Sequence, residues 1–542
     1  MAETGPEYGP AYARPGGGGA TRTEATRLLC AGVYLDSTFR RRVIEELVQH
    51  EERPISLSLG VDALPVLAHA LRARRKEAET ALMLLGVWGS FIALWFAGIG
   101  SDRMLPIPGW LAYALVCLVL GGARAGAGLG VAVFTLDRSM VKEATRGRLQ
   151  ILLPLVPFTV ALVYWTAALY TLFSGADAWA GVVFPLLLVL PVWAYRADVT
   201  AVMRHELGSE AYPHTRREAL PHRYRRIGAA IDREQYAALT IYDPFRPFIG
   251  AGLPYAEQWS LVMELKKRRD APPDAGAGPL TGREVIDLIK PELEALRTSA
   301  AATSRDRLRE LEVEEFVYLP SGVARWKVAY DPAAVRRHLD EAVGEGGEAR
   351  RHFLRVRIGT WDEQVVVSVL VRVHTQGGML VLEVVPHVLT PVRLEFRAVD
   401  VIEARGEGDI LRDTVRGLLA APTANFAAMT SLVRTAVSEF RTWLANPRHA
   451  LPDGPATSVR ELGSTSDLSV FQNMDVKRYV RTVQDRIASG VRAALRAKNY
   501  ETGDFEQQIV TVSGGGVFIG AMSGGAVATG QQASATHKEG GE

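Results

Sequence analysis

Apolar positions fall along this chain in three patterns, and each predicts a different kind of element. Between residues 80 and 196 they form near-continuous stretches: Ala81–Ile99, Ile107 to about Phe134, Leu149–Phe173 and Ala178–Tyr195. A helix needs roughly 20 apolar residues to cross the ~30 Å hydrocarbon core of a bilayer. The first, third and fourth stretches fit that length, and adjacent uncharged runs of this kind are rare in soluble folds. The second is longer, carries Arg124 and is glycine-rich in its second half (GGARAGAGLG), so it is expected to tilt or break near Gly121.

Ahead of these runs the spacing becomes helical and amphipathic. Leu28, Leu29, Val33 and Leu35 precede a helix with Phe39, Val43, Ile44 and Leu47 on one face. A second helix begins near Asp62, an N-cap residue, and carries Leu64, Val66, Leu67 and Leu71 into the first apolar run. Behind the apolar runs the helical pattern continues through Val199, Val202 and Leu207, and then changes.

After a Pro/Gly/Ala-rich segment (APPDAGAGPL) the third pattern predicts a helix over Glu284–Arg297. Strands are predicted at Phe316–Leu319, Ala324–Tyr330, Phe353–Ile358, Gln364–His374, Met379–His387 and Val392–Val399. VVVSVLVRVH turns at Gln376-Gly377-Gly378 into MLVLEVV, which is a hairpin signal. Alternation in LRVRIG and RLEFRAV predicts a sheet that is apolar on one face and arginine-bearing, solvated, on the other. Two helical regions follow, Ile410–Leu444 and Asp475–Lys498.

The fold class expected from these patterns is a four-helix α transmembrane module plus a cytosolic α+β domain with a mainly antiparallel sheet. The expected organisation is a disordered lead (1–20), a cytosolic helical unit (21–78), four transmembrane helices (79–196) and juxtamembrane helices with a PFIGAG loop (197–270). A linker (271–281), the α+β domain (282–508) and a glycine-rich repeat tail (509–542) complete it.

Charge gives the orientation. Arg72, Arg74, Arg75 and Lys76 precede the first apolar run, Arg138, Lys142, Arg146 and Arg148 separate the second from the third, and Arg196 and Arg204 follow the fourth. The loop SGADA has no basic residue, and the first loop has only Arg103. Basic residues collect on the cytoplasmic side, so both termini are expected in the cytoplasm of a multi-pass protein of the cell membrane. The bilayer and its anionic headgroups are the expected partners of these residues. Residues 1 to 20 lack the apolar core of a secretory signal. Arg outnumbers Lys by 53 to 9, which points to a GC-rich bacterial genome. Cys30 and Cys117, in a cytosolic segment and an apolar run, suggest neither a disulfide nor a metal site.

Candidate chemistry is sparse. His205, His214 and His222 lack the close pairing of a zinc site, and HELGS lacks the second histidine of a zincin. YDPFRPFIGAG (Tyr242–Gly252) reads as a packed turn with Phe245 and Phe248 as apolar anchors. Its Gly250 and Gly252, with Arg246 beside them, are the candidate ligand-binding residues, because glycines admit a phosphate against bare backbone N–H groups. In the tail, Ser513–Gly520 recurs ten residues later as Ser523–Gly530. Val517, Phe518, Ile519 and Val527 are its candidate self-association residues, whether by stacking or by pairing with neighbouring copies. No catalytic residue, metal or cofactor is expected, and no nucleic-acid partner.

Three blocks carry a resemblance: CAGVYLD with GVD…H…RAR before the first apolar run, PFIGAG…W (Pro247–Gly252, Trp259), and FQNMDVKRYV…R (Phe471–Val480, Arg486). With the glycine-rich ending, the chain resembles a group of Streptomyces-like actinobacterial multi-pass membrane proteins. The resemblance implies the architecture and assigns no catalytic role. The expected function is a membrane-anchored cytosolic scaffold or signalling protein with a cytosolic protein partner and a homo-oligomer-forming tail. The alternatives are a membrane-associated enzyme acting on lipid or nucleotide, with Asp475, Arg478 and Arg481 among its candidates, and an oligomeric channel or transporter.

Overall fold

The computed structural model describes residues 23–57, 59–99, 108–126, 155–174, 179–216, 218–255, 259–268, 279–300, 307–323, 325–344, 349–360, 364–404, 410–445 and 454–506. The lead, most of the 271–281 linker and the repeat tail with Val517, Phe518, Ile519 and Val527 lie outside the described residues.

The N-terminal unit is set by its caps. Thr23 accepts from the Thr26 N–H to open α1 (Glu24–Leu35), and Asp36 ends α1 and caps α2 (Ser37–Ile44) through the Thr38 and Phe39 N–H groups. Asp62 caps α3, which runs without interruption from Ala63 to Ala97 and stops at the left-handed Gly98. One rod of about 50 Å thus carries both the amphipathic segment and the first apolar run.

The remaining apolar runs form helices Gly109–Gly126, Leu155–Phe173, Ala180–Leu187 and Val189–His205. The last two are one apolar segment interrupted at Leu188, where the Pro191 ring collides with the carbonyl of residue 187 and removes a donor. Two segments, Ala63–Ala97 and Ala180–His205, are long and apolar enough to cross a membrane. Aromatic contacts hold these helices together: Phe91 stacks on Phe184 at 4.4 Å, Trp88 meets Tyr113 at 5.9 Å, and Tyr113 meets Tyr164 at 5.2 Å.

The rest is α+β around a curled mixed sheet. Its strands are β1 (Leu239–Ile241), β2 (Leu253–Pro254), β3 (Trp259–Glu264), β4 (Glu312–Leu319), β5 (Arg351–Thr360), β6 (Val365–Gln376) and β7 (Met379–Leu389). The order is β1-β4-β5-β6-β7-β2, with β3 also on β7; among the described strands only β1 and β4 pair in parallel. The sheet therefore draws strands from both sides of the 271–281 segment. Gly377 and Gly378 both take positive φ (59° and 76°), as a tight hairpin turn between β6 and β7 requires.

Helices Gly282–Ser299 and Val470–Ala497 cover one face of the sheet, through Val285, Ile289, Val483 and Ile487. The other face is covered as well, by Leu57 and Phe248 over Phe316, Tyr318, Phe353 and Val385. The expected solvated arginine face is corrected here. Arg355 and Arg357 are buried, and each pairs across β4 with its register neighbourhood, Arg355 with Glu314 and Arg357 with Glu312 at 3.0 Å.

Two predicted strands are absent. Residues 324–330 contain the 3-10 turn Arg325–Lys327 instead, because Arg325 is drawn inward to Glu234 and Asp331 caps the helix Pro332–Gly344. Residues 392–399 form the 3-10 turn Leu394–Arg397 and then helix Ala398–Ala404, because Phe396 is seated between Gly32 of α1 and Phe39 of α2. β1, β2 and β3 were not predicted; their few residues gain their stability from β4 and β7 rather than from local pattern.

Candidate functional site

The PFIGAG loop lies against the segment 454–463. Gly250 and Gly252 have φ of 97° and 94°, and their N–H groups both point at one oxygen, Glu461 Oε1, at 2.7 and 3.1 Å. Two backbone donors on left-handed glycines separated by Ala251 form the concavity that holds an anion. The anion held here is the protein's own carboxylate. Glu461 is placed by a capping box with Ser458, whose hydroxyl accepts the Glu461 N–H at 3.0 Å. The Arg246 guanidinium donates to the Ala456 carbonyl at 2.9 Å, so all three candidate residues close this internal joint. Phe248 anchors the loop among Tyr318, Phe353 and His387, whereas Phe245 is 93% exposed.

The three histidines are not brought together: His205 ends a helix, His214 lies in a turn and His222 opens a 3-10 turn, all exposed. Asp475 and Arg478 make an ordinary pair one helical turn apart, at 3.3 Å.

A polar cluster that the sequence pattern did not single out sits where α1, α3 and the segment after His205 meet. His69 Nδ1 is 3.2 Å from the Tyr34 hydroxyl and 3.5 Å from Glu218. Arg72, one turn along α3, donates to both oxygens of Glu206 at 2.7 and 2.9 Å and reaches Glu218 at 3.4 Å. Burial pushes the His69 imidazolium down to about 4, so the ring is neutral at pH 7, and burial raises the Glu218 carboxyl. Glu218 also lines an open cleft of about 360 Å³ with Leu64, Pro65, Arg225, Gly228 and Asp232.

His69, Glu206 and Glu218 each offer one donor atom, all within 4.8 Å of one another. That donor set suits a divalent cation. The Arg72 guanidinium already sits between the two carboxylates and offsets one of their charges. The only sequence hint was the i, i+3 placement of His69 and Arg72 on the otherwise apolar start of α3; the two carboxylates lie more than 130 residues away.

Buried charge ties the parts of the molecule together. Arg27 reaches Asp400 at 2.7 Å and the Leu207 carbonyl at 2.9 Å, Arg40 pairs with Glu77, and Arg325 pairs with Glu234 at 2.8 Å. Arg460, almost fully buried, donates to the carbonyls of Gln364 and Thr390.

Residues 258–526 match a family model described as AbeC: AbeC-like domain. The match takes in β3 to β7 and the helices on them, just under half of the chain, and leaves α1 to α3, the apolar helices, β1 and β2 outside. No curated protein matches the chain. No solved structure matches it either.

Proposed function

We propose that the chain is a membrane-anchored cytosolic scaffold or signalling protein. Its anchor is a module of four transmembrane helices with both termini in the cytoplasm. The observation that carries this reading is the mechanical continuity between apolar helices and sheet. α3 passes unbroken from the cytosolic unit into the first apolar run; Arg27 joins α1 to helix Ala398–Ala404 through Asp400, Arg40 joins α2 to α3 through Glu77, and the buried pair Arg325–Glu234 is tied to the unit by the Glu51 carbonyl and the Ile55 N–H. A loosely tethered enzyme has no need of such coupling; a protein that presents or relays a cytosolic surface from the membrane does.

Two further facts support the anchor. The apolar window of α3 is only 22% buried, unlike the core helix of a soluble protein. All four apolar segments also present large exposed side chains, among them Leu82, Leu118, Val163 and Leu190. The basic clusters beside the apolar runs face anionic headgroups in this arrangement.

Assembly is assigned to the glycine repeat. Native mass in detergent of the full chain and of a chain ending at Gln508 tests it. A large loss of mass on truncation is expected; equal masses, with no cytosolic protein retained by the full chain in pull-downs, would remove the scaffold reading.

A further inference from the structure

Helix Ile410–Ala445 is the longest among the described residues, at 36 residues, and its second half carries large exposed apolar side chains. Val433, Val437, Phe440 and Leu444 are exposed, Phe440 at 60%, and the neighbouring Trp443 at 76%. Their spacing of four, three and four residues puts the first four on one face. An exposed stripe of this size is unusual on a surface that meets only water.

Where the stripe lies follows from the contacts of the same helix. Trp88 meets Tyr113, and a Cβ on Gly109 would stand 3.8 Å from the Phe91 ring, so helix Gly109–Gly126 runs antiparallel to α3. From Gly109 to Gly121 it advances about 18 Å, which brings Gly121 level with the residues of α3 just before Ala81. The Phe426 ring packs directly on Gly121, in the space where a Cβ would stand. Farther along, Glu439 faces Arg74 at 3.7 Å and Ser438 meets Gln49 at 2.5 Å. Phe426 and Glu439 are about 20 Å apart on their helix, while the levels they mark on α3 differ by only about 8 Å. The helix therefore packs its first half on α3 and helix Gly109–Gly126 and crosses obliquely at the cytosolic end of the apolar helices.

Its orientation about its own axis follows as well. Phe426, Val433 and Phe440 are seven apart and share a face. The face that touches an apolar helix at Gly121 is thus the one that emerges sideways as the exposed stripe. Arg434 and Arg441, also seven apart and exposed, border the stripe, whereas Glu439 turns away from it toward Arg74.

We infer that the second half of helix Ile410–Ala445 is an interfacial helix, whose stripe Val433, Val437, Phe440 and Leu444 lies in the cytosolic leaflet beside the bundle. Trp443 sits at headgroup level, Phe440 lies below it with the rest of the stripe, and Arg434 and Arg441 meet anionic lipid phosphates. This combination of apolar face, aromatic residues and flanking arginines is what an interfacial helix needs. The inference rests on the membrane reading above, which supplies the bilayer beside the apolar helices.

The test places a spin label at Phe440→Cys in the full chain, in a Cys30→Ala, Cys117→Ala background. The protein is reconstituted in vesicles of three parts phosphatidylcholine to one part phosphatidylglycerol. Labels at Val163→Cys and Ala436→Cys are read in parallel. Position 440 is expected to be accessible to oxygen and shielded from a water-soluble nickel complex, as at 163. Arg434→Gln/Arg441→Gln is expected to shift the 440 label toward water several-fold in nickel accessibility. A nickel-accessible 440 beside a lipid-exposed 163 overturns the inference and leaves the anchor standing. Spin–spin broadening at 440 overturns it in favour of a second copy of the chain on the stripe. Nickel access at both 163 and 440 overturns the anchor itself.

Discussion

Glu461 occupies the concavity at Gly250 and Gly252 as a phosphate would occupy a ligand loop, and this contact can be tested directly. Hydrogen bonds to a charged group contribute about 1.5–3 kcal/mol, so Glu461→Ala should lower the unfolding free energy by about 2 kcal/mol. Gly252→Ala should cost at least as much, because φ is 94° and the new Cβ would meet the Val388 carbonyl. Chemical denaturation reads both; changes under 0.5 kcal/mol would mean the loop is not a structural joint. His69 gives a pH prediction. Its folded-state value, about 4, lies below the ordinary 6.5, so below pH 6.5 the unfolded chain takes up a proton that the folded chain does not. Stability should therefore fall as pH drops from 6.5 to 4, by up to about 3 kcal/mol. The raised Glu218 carboxyl works in the opposite sense, since it takes up its proton earlier in the folded state. His69→Gln should flatten that slope, and an unchanged slope would contradict the assignment. At this scale the loop's glycines, Phe248 and the Asp62 cap were legible in the sequence. Glu461 and Glu218 were not, because their partners come from segments more than 130 residues away.

The elements that were legible are those with strong local signals. The hairpin at Gly377-Gly378 and the helices over 282–299 and 470–497 follow directly from turn chemistry and from spacings of three and four. Residues 392–399 misled because alternation alone does not make a strand: of RLEFRAV, Phe396, Ala398 and Val399 are buried while Leu394 is exposed, and the segment follows its Phe396 anchor. β1 to β3 were hidden because strands of two to six residues borrow their order from β4 and β7. The arginines of β5 read as a solvated face because their partners, Glu312 and Glu314, lie on another strand. Packing of the two covering helices has its own test. A Cβ on Gly490 would stand 2.6 Å from the Ile289 Cα, so the helices cross at backbone distance. Gly490→Leu should destabilise the protein by about 1–3 kcal/mol, while the exposed Asp485→Ala should change it little. Equal effects in denaturant titrations would show that the crossing is loose.

For the whole molecule, the central claim is that a cytosolic α+β body is clamped to a membrane anchor. The clamp includes Arg325, buried with Glu234 and donating to the Glu51 carbonyl at 2.9 Å. Arg325→Met leaves the buried Glu234 with Arg233 at 3.5 Å as its remaining cation, and should cost up to about 3 kcal/mol; pairing it with Glu234→Leu should recover part of that loss. Thermal unfolding of the two variants in detergent reads the difference, and an Arg325→Met variant as stable as the parent would show that the clamp is elsewhere. The anchor itself is tested most directly by side-specific labelling. A cysteine is placed at Arg103, between the first two apolar runs, or at the exposed Phe245, in chains lacking Cys30 and Cys117. Intact cells are then treated with a membrane-impermeant maleimide. The account predicts labelling at 103 in intact cells, labelling at 245 only after lysis, and the protein wholly in the membrane fraction. Labelling at 245 in intact cells, or recovery of the protein in the soluble fraction, would contradict it.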